Sequence, residues 1–154
     1  MDLHALGATP DAFAAALARL GPERFAAAPA PGAWSPAEIF THVRAADAVI
    51  APRVLQVVAR PGVALSDFDE RKVGELLARA VVPVEDLVVL FRRRREELLA
   101  LVATLSADER ARIGVHETRG IVTVDDICEA LVDHEREHLD QLDAAVRALS
   151  VAPS

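Results

Sequence analysis

Apolar residues recur along this chain every three or four positions, in runs long enough for helices and separated by breaks rich in proline and glycine. Thr9-Pro10-Asp11 reads as a helix start, with threonine as cap and proline in the first turn. Phe13, Leu17 and Leu20 then share a face until Gly21-Pro22 stops the run. The Ala28-Pro29-Ala30-Pro31-Gly32 segment can only be a turn or an extended connection. Ser35-Pro36-Ala37-Glu38 spells a capping box with proline at the first helical position, so a second helix begins at Pro36. Its inward stripe reads Ile39, His42 or Val43, Ala46, Val49 and Ile50, and it ends near Arg60-Pro61-Gly62, with Pro52 expected to bend it.

Past the polar linker Ser66-Asp67-Phe68-Asp69, a third helical region covers about residues 71–105, broken or kinked at Pro83. Its second half puts Val84, Leu87, Phe91, Leu98 and Val102 on one stripe. The charge run Arg92 to Arg95 reads as a solvated face paired with Glu96 and Glu97 rather than a nucleic-acid patch. Ser106-Ala107-Asp108-Glu109 is another capping box, opening a short turn before an expected loop over residues 112–120. Thr123-Val124-Asp125-Asp126 starts the last helix, over about residues 124–149. No stretch alternates as a strand over a useful length, and there is no internal repeat. The expected fold is therefore all-α, one domain over residues 1–154, built as a four-helix bundle with one or two extra short helices.

Composition narrows the function. A net charge of −7 argues against a surface that neutralises phosphates, so no nucleic-acid partner is expected. The lone Cys128 excludes an internal disulfide and any zinc site built on cysteines, as expected in a reducing cytoplasm. The start Met1-Asp2-Leu3-His4-Ala5 lacks a basic flank followed by an apolar core, and no apolar run is long enough to span a bilayer. A cytoplasmic protein with no membrane partner is the expectation.

The chemistry concentrates in His134-Glu135-Arg136-Glu137-His138. Two imidazoles four residues apart face the same way on a helix and can grip one metal ion. The H-E-x-x-H spelling matches zinc proteases, but those place a third ligand downstream. Only sixteen residues follow His138 and none is His or Glu, so a third ligand must lie upstream. The inward seam of the last helix is read as Ile127, Leu131, His134, His138, Leu142, Ala145 and Leu149, with Asp133, Glu135, Arg136 and Glu137 on its polar side. On that reading Glu135 faces solvent or a neighbouring helix, not the site. His42, beside the apolar stripe of the second helix, is the natural third ligand, which leaves an open position of the catalytic type. His116 competes as a fourth ligand, a proton-transfer group or an exposed loop residue. Glu38 could orient His42 or serve only its capping box, and Gln141 could bond a ligand or simply face water. Trp34 is expected to staple against Ile39 or Phe40, Cys128 to be an inert packing residue, and His4 to lie at the surface.

Three segments together resemble the DinB/YfiT-like superfamily over nearly the whole chain: Trp34-Ser35-Pro36-Ala37-Glu38-Ile39-Phe40-Thr41-His42, Gly120-Ile121-Val122-Thr123-Val124, and Asp133 through Leu142 around the histidine pair. The resemblance implies a four-helix bundle with one divalent metal on three histidines, carried here onto His42, His134 and His138. Zinc, nickel and iron all suit such a set. It further implies a homodimer and a small-molecule substrate. The family includes thiol-dependent S-transferases using bacillithiol or mycothiol, a mycothiol-dependent maleylpyruvate isomerase, and proteins labelled metal-dependent hydrolases. A low-molecular-weight thiol as co-substrate is the expectation drawn from it. The alternatives are a metal-dependent hydrolase and a non-catalytic metal-binding stress-response protein.

Overall fold

The computed structural model describes residues 2–77, 79 and 82–151. Four helices form the bundle: α1 (Leu3–Leu17), α2 (Pro36–Ala59), α4 (Val84–Thr104) and α6 (Val124–Val151). The shorter α3 (Glu70–Leu77) lies against α2, and α5 (Ala107–Arg110) follows α4. Residues 78, 80 and 81 of the expected third helical region lie outside the described residues; on either side of them that region is two helices, α3 and α4.

Capping chemistry sets the boundaries of α2, α5 and α6. Ser35 Oγ accepts from the Glu38 amide at 3.2 Å, while Glu38 Oε2 accepts from the Ser35 amide at 2.8 Å. Ser106 and Glu109 repeat the arrangement, and Thr123 with Asp126 does the same at the start of α6. The start of α1 differs from expectation. Asp2 is its cap, accepting from the His4 and Ala5 amides, and Pro10 sits inside the helix. A proline there withholds an amide hydrogen from the carbonyl four residues back, which is that of Leu6. That carbonyl accepts instead from Arg95 Nη1 of α4 at 2.7 Å, so a tertiary contact replaces the missing helical bond.

A three-stranded sheet of order β1-β2-β3 closes one end, correcting the expectation of no strands and of a loop over residues 112–120. β1 (Ala64–Leu65) pairs parallel with β2 (Ile113–His116), which pairs antiparallel with β3 (Gly120–Thr123). These strands are too short to show alternation, and β2 turns Gly114 and His116 inward while Ile113 and Val115 face water. Gly114 is required by close approach, since a Cβ there would lie 2.9 Å from both Leu65 Cδ1 and Val57 Cγ2.

The core has two apolar halves. Leu6, Val54, Val57, Leu98, Val102, Ile127 and Leu131 pack near the sheet, and Phe13, Phe40, Val43, Phe91, Leu142 and Val146 pack at the other end. Between them lies a buried polar layer with one residue from each bundle helix: Thr9, Asp47, Arg95 and Glu135. Arg95 Nη1 donates to Thr9 Oγ1 and to Glu135 Oε2, both at 2.9 Å. Its Nη2 donates to Asp47 Oδ1 at 2.9 Å and also to Glu135 Oε1, and Thr9 Oγ1 donates to Glu135 Oε2. The expected solvated arginine run is therefore corrected at one position. Arg92 and Arg93 are exposed and paired with Asp11 and Glu96, but Arg95 is 1% exposed. It occupies the gap between Phe91 and Leu98 in the apolar stripe of α4.

Candidate metal centre

α2 presents His42 two turns past its Ser35 cap, and α6 presents His134 and His138 one turn apart. The three side chains converge, with one ligand nitrogen of each within 4.8 Å of the others. His42 Nε2 and His134 Nε2 are 3.2 Å apart, and the His138 ring centroid lies 4.5 Å and 4.6 Å from those of His42 and His134. Gln141, one turn beyond His138, takes up one of its two expected roles. Its Oε1 accepts from His138 Nδ1 at 2.9 Å, which leaves Nε2 of the neutral ring bare as a ligand atom. Trp34 packs against the apolar cluster that holds Ile39 and Phe40, and beyond that expected contact its ring stacks on His138 at 6.2 Å between centroids, meets His42 edge-on at 5.1 Å, and lines a cavity beside them.

Glu70, the first residue of α3, was not among the residues singled out from sequence, yet its Oε2 lies 3.3 Å from both His42 Nε2 and His134 Nε2. The hydrogen bond to His134 and the imidazoles around it hold its carboxyl below the usual range, against the opposing effect of burial. Burial lowers the pKa of His42, and the neighbouring His138 and His134 add to the shift. The one local sequence signal near Glu70 is the cap of its helix, and the rest depends on how α3 meets α2. Asp69 caps α3, with Oδ1 accepting from the Lys72 amide at 2.8 Å, and Gly74 one turn on faces α2, where a Cβ would make ordinary contact with His42 Cα at 3.8 Å.

The residues present fit a divalent cation. Nitrogens bound to one zinc at about 2.0–2.1 Å in tetrahedral geometry are about 3.3 Å apart, close to the spacing observed here. His42 and His134 both turn Nε2 to the common point, and their Nδ1 atoms are buried without a hydrogen-bond partner, so the fit to an ion rests on the Nε2 spacing and the donor set.

Glu38 is committed to its capping box, which holds its carboxyl below the usual range through the Ser35 amide, and it lines the same cavity as Trp34. His116 is not an exposed loop residue. It is buried on β2, with Nε2 3.1 Å from Arg53 Nη1, outside the converging set. Glu135 is 0% exposed and faces Arg95 and Thr9, so of its two expected surroundings the neighbouring helices are the real one and solvent is not. The expected seam of α6 is buried at Ile127, Leu131, Leu142, Ala145 and Leu149, and two residues set off it, Cys128 and Glu135, are buried too. Cys128, Glu135, Leu142 and Leu149 are buried at seven-residue spacing, and the histidines flank that line half-buried. Cys128 is buried and its thiol is pushed up to about 11 by desolvation.

Two cavities border the site, one at His42 and one at His134. One of ≈ 250 Å³ is lined by Trp34, Thr41, His42, Arg71, Gly74 and Glu75. The other, ≈ 150 Å³, is lined by His134, Glu70, Phe68, His116, Arg53 and Arg119.

A four-helix bundle with three histidines gathered from two facing helices defines a class of helical proteins able to hold a metal ion in the core. The chain belongs to the DinB superfamily, whose model matches residues 5–142. Its fold is similar to that of YfiT from Bacillus subtilis, described as a probable metal-dependent hydrolase with an unusual four-helix bundle topology. That similarity has a TM-score of 0.86 at 17% identity, covering 97% of this chain and 86% of that one. TT2238, a four-helix bundle protein, is similar with a TM-score of 0.59 at 24% identity, covering 92% of this chain and 95% of that one. None of the curated proteins compared matches the chain. Among the described residues, no helix is long and apolar enough to cross a membrane.

Proposed function

We propose that this protein is a divalent-metal-dependent enzyme acting on a small molecule, a thiol-dependent S-transferase with His42, His134 and His138 as the metal ligands. The observation that carries this reading is the placement of the triad between two separate cavities of different character. One presents the indole of Trp34 to an apolar group, and the other is lined by charges of both signs, Arg53 and Arg119 with Asp67, Glu70 and Asp126, and suits a polar reactant. Two recesses suit two reactants.

A divalent ion held there would supply Lewis acidity that lowers the pKa of a coordinated thiol or water. The chain's own part is binding and orientation. His42 and His134 direct Nε2 to the common point, Gln141 fixes the His138 tautomer, and Trp34 shields the rings from water. The buried Cys128, with its pKa pushed up to about 11, is unsuited as a nucleophile, so the thiol must arrive as a co-substrate. Zinc, nickel and iron are the candidate metals. A cytoplasmic homodimer without nucleic-acid or membrane partners completes the proposal.

A metal-dependent hydrolase is the second reading, favoured by what YfiT is described to be. Against it, Glu135, the residue a zinc protease would use as base, is taken up by Arg95. The deciding experiment is elemental analysis of untagged protein with thiol-consumption assays using bacillithiol, mycothiol and glutathione against electrophiles. Metal-dependent thiol consumption is expected. Ester or amide hydrolysis without thiol consumption would favour the hydrolase, and bound metal with neither activity would favour a non-catalytic metal-binding protein.

A further inference from the structure

His42 Nε2, His134 Nε2 and Glu70 Oε2 form a near-equilateral triangle with edges of 3.2, 3.3 and 3.3 Å. Those are the edge lengths of donors sharing one small cation at about 2.0–2.2 Å, and carboxylate oxygen is as good a donor as imidazole at that distance. We propose that Glu70 is a fourth, displaceable protein ligand, which closes the metal position in the resting protein and must leave it before a reactant can coordinate. The proposal rests on the three-histidine metal reading above.

The element that carries Glu70 is suited to release it. α3 is eight residues long, and Gly74 is its one buried residue, so little apolar burial holds it in place. It packs along α2, with Gly74 facing His42 at ordinary contact distance. Glu70 lines the ≈ 150 Å³ cavity, while Arg71, Gly74 and Glu75 of the same helix line the ≈ 250 Å³ one. α3 is thus a shared wall, and withdrawing Glu70 frees a coordination position between the two reactant recesses. Three histidines with a permanently open fourth position would bind any small donor at rest; a tethered carboxylate makes entry competitive.

The test uses full-length protein and Co2+ as probe, comparing wild type with Glu70→Ala, Glu70→Gln and His138→Ala. Affinity is measured by chelator competition, coordination by the visible Co2+ spectrum, and access by azide titration followed in the same bands. Folding is checked by far-UV circular dichroism, and Glu70, half-exposed at a helix start, is replaceable without disturbing the core. Loss of a group that only supports the ligands already weakens metal binding by about tenfold to a hundredfold, so the spectrum and azide access, rather than affinity, tell a ligand from a counter-charge. Both Glu70 variants should show that weakening and a changed spectrum, while azide binds the remaining complex more tightly than in wild type. An unchanged spectrum and unchanged azide binding in both variants, whatever the change in affinity and with His138→Ala impaired, would make Glu70 only a counter-charge to the imidazoles and overturn the proposal alone. Wild type that binds no Co2+ would overturn the three-histidine reading together with it.

Discussion

Arg95→Met is the perturbation that most directly tests the buried layer. It removes the counter-charge of Glu135, 0% exposed, and of Asp47, 1% exposed, and it strips the donor from the Leu6 carbonyl that Pro10 leaves free. Methionine preserves much of the volume, so the cost is electrostatic rather than a cavity. Removing one partner of a buried ion pair typically costs about 3–5 kcal/mol. The ceiling per carboxylate is set by protonation: neutralising a group whose usual pKa is 4.5 costs about 1.4 kcal/mol per pH unit, or about 3.4 kcal/mol at about pH 7. A loss of about 4 kcal/mol is therefore expected, a large share of the about 5–15 kcal/mol that holds a typical domain together. The sign of the pH dependence follows. Burial already raises the Glu135 carboxyl with Arg95 beside it, and without Arg95 it rises further, so its contribution is intact below the unfolded value and is lost as pH rises through the folded one. Because wild type shares the sign of this dependence, the difference from it should shrink between about pH 7 and about pH 5, by at most about 2–3 kcal/mol. The assay is urea unfolding of metal-free protein by far-UV circular dichroism, with Arg95→Met/Glu135→Gln as companion. That double variant should be more stable than Arg95→Met, because it carries one fewer orphaned charge. A single variant within about 1 kcal/mol of wild type, with no pH dependence, would refute the reasoning.

Alanine at His42, His134 or His138 should strip the metal while most helical content remains, since both apolar halves of the core lie apart from the site; joint loss of metal and fold, read by elemental analysis and circular dichroism, would show a structural ion instead. Glu135→Gln should leave metal stoichiometry unchanged and affect turnover far less than loss of a ligand does; a fall of about a hundredfold or more at full metal occupancy would place Glu135 at the substrate. The lowered pKa of His42 means that metal-free protein gains stability from this residue above its unfolded value and loses it as pH falls through the folded one, so the melting temperature should drop on acidification below about pH 6.5, and less so in His42→Asn. With its thiol pushed up to about 11 and 1% exposed, Cys128 should resist a thiol reagent at mildly alkaline pH until urea unfolds the chain; rapid native labelling would contradict its burial.

Helix existence and the histidine set were legible in the sequence because their signals are local: capping boxes at Ser35 and Ser106, apolar steps of three and four, imidazoles at i and i+4. What escaped is tertiary. Pro10 reads as a helix start because nothing in its neighbourhood announces that Arg95, on another helix, will satisfy the Leu6 carbonyl. β2 hides because its inward residues are Gly114 and His116, which reverses the apolar signature of a strand. Glu70 hides because its role depends on how α3 meets α2. The charged layer was half-visible. Asp47 and Glu135 each fall in seven-residue register with apolar partners, Phe40 and Val54 on α2 and Cys128 and Leu142 on α6, while Arg95 fills the gap in the α4 stripe. Each looked like a lapse in one helix, and only the three together make a layer.

That layer gives the H-E-x-x-H spelling a meaning different from the one it carries in proteases. Successive residues on a helix are turned by about 100°, so His134 lies about 100° to one side of Glu135 and His138, three residues further on, about 60° to the same side. Once Arg95 and Thr9 hold Glu135 toward α4 and α1, both imidazoles must point toward α2, where His42 waits. The glutamate fixes the rotation of α6 and thereby aims its two neighbours. A buried ion pair is a poor source of net stability but a strong constraint on register, because any other rotation would bury the carboxylate without its partner. The same geometry that withholds Glu135 from the chemistry delivers His134 and His138 to it.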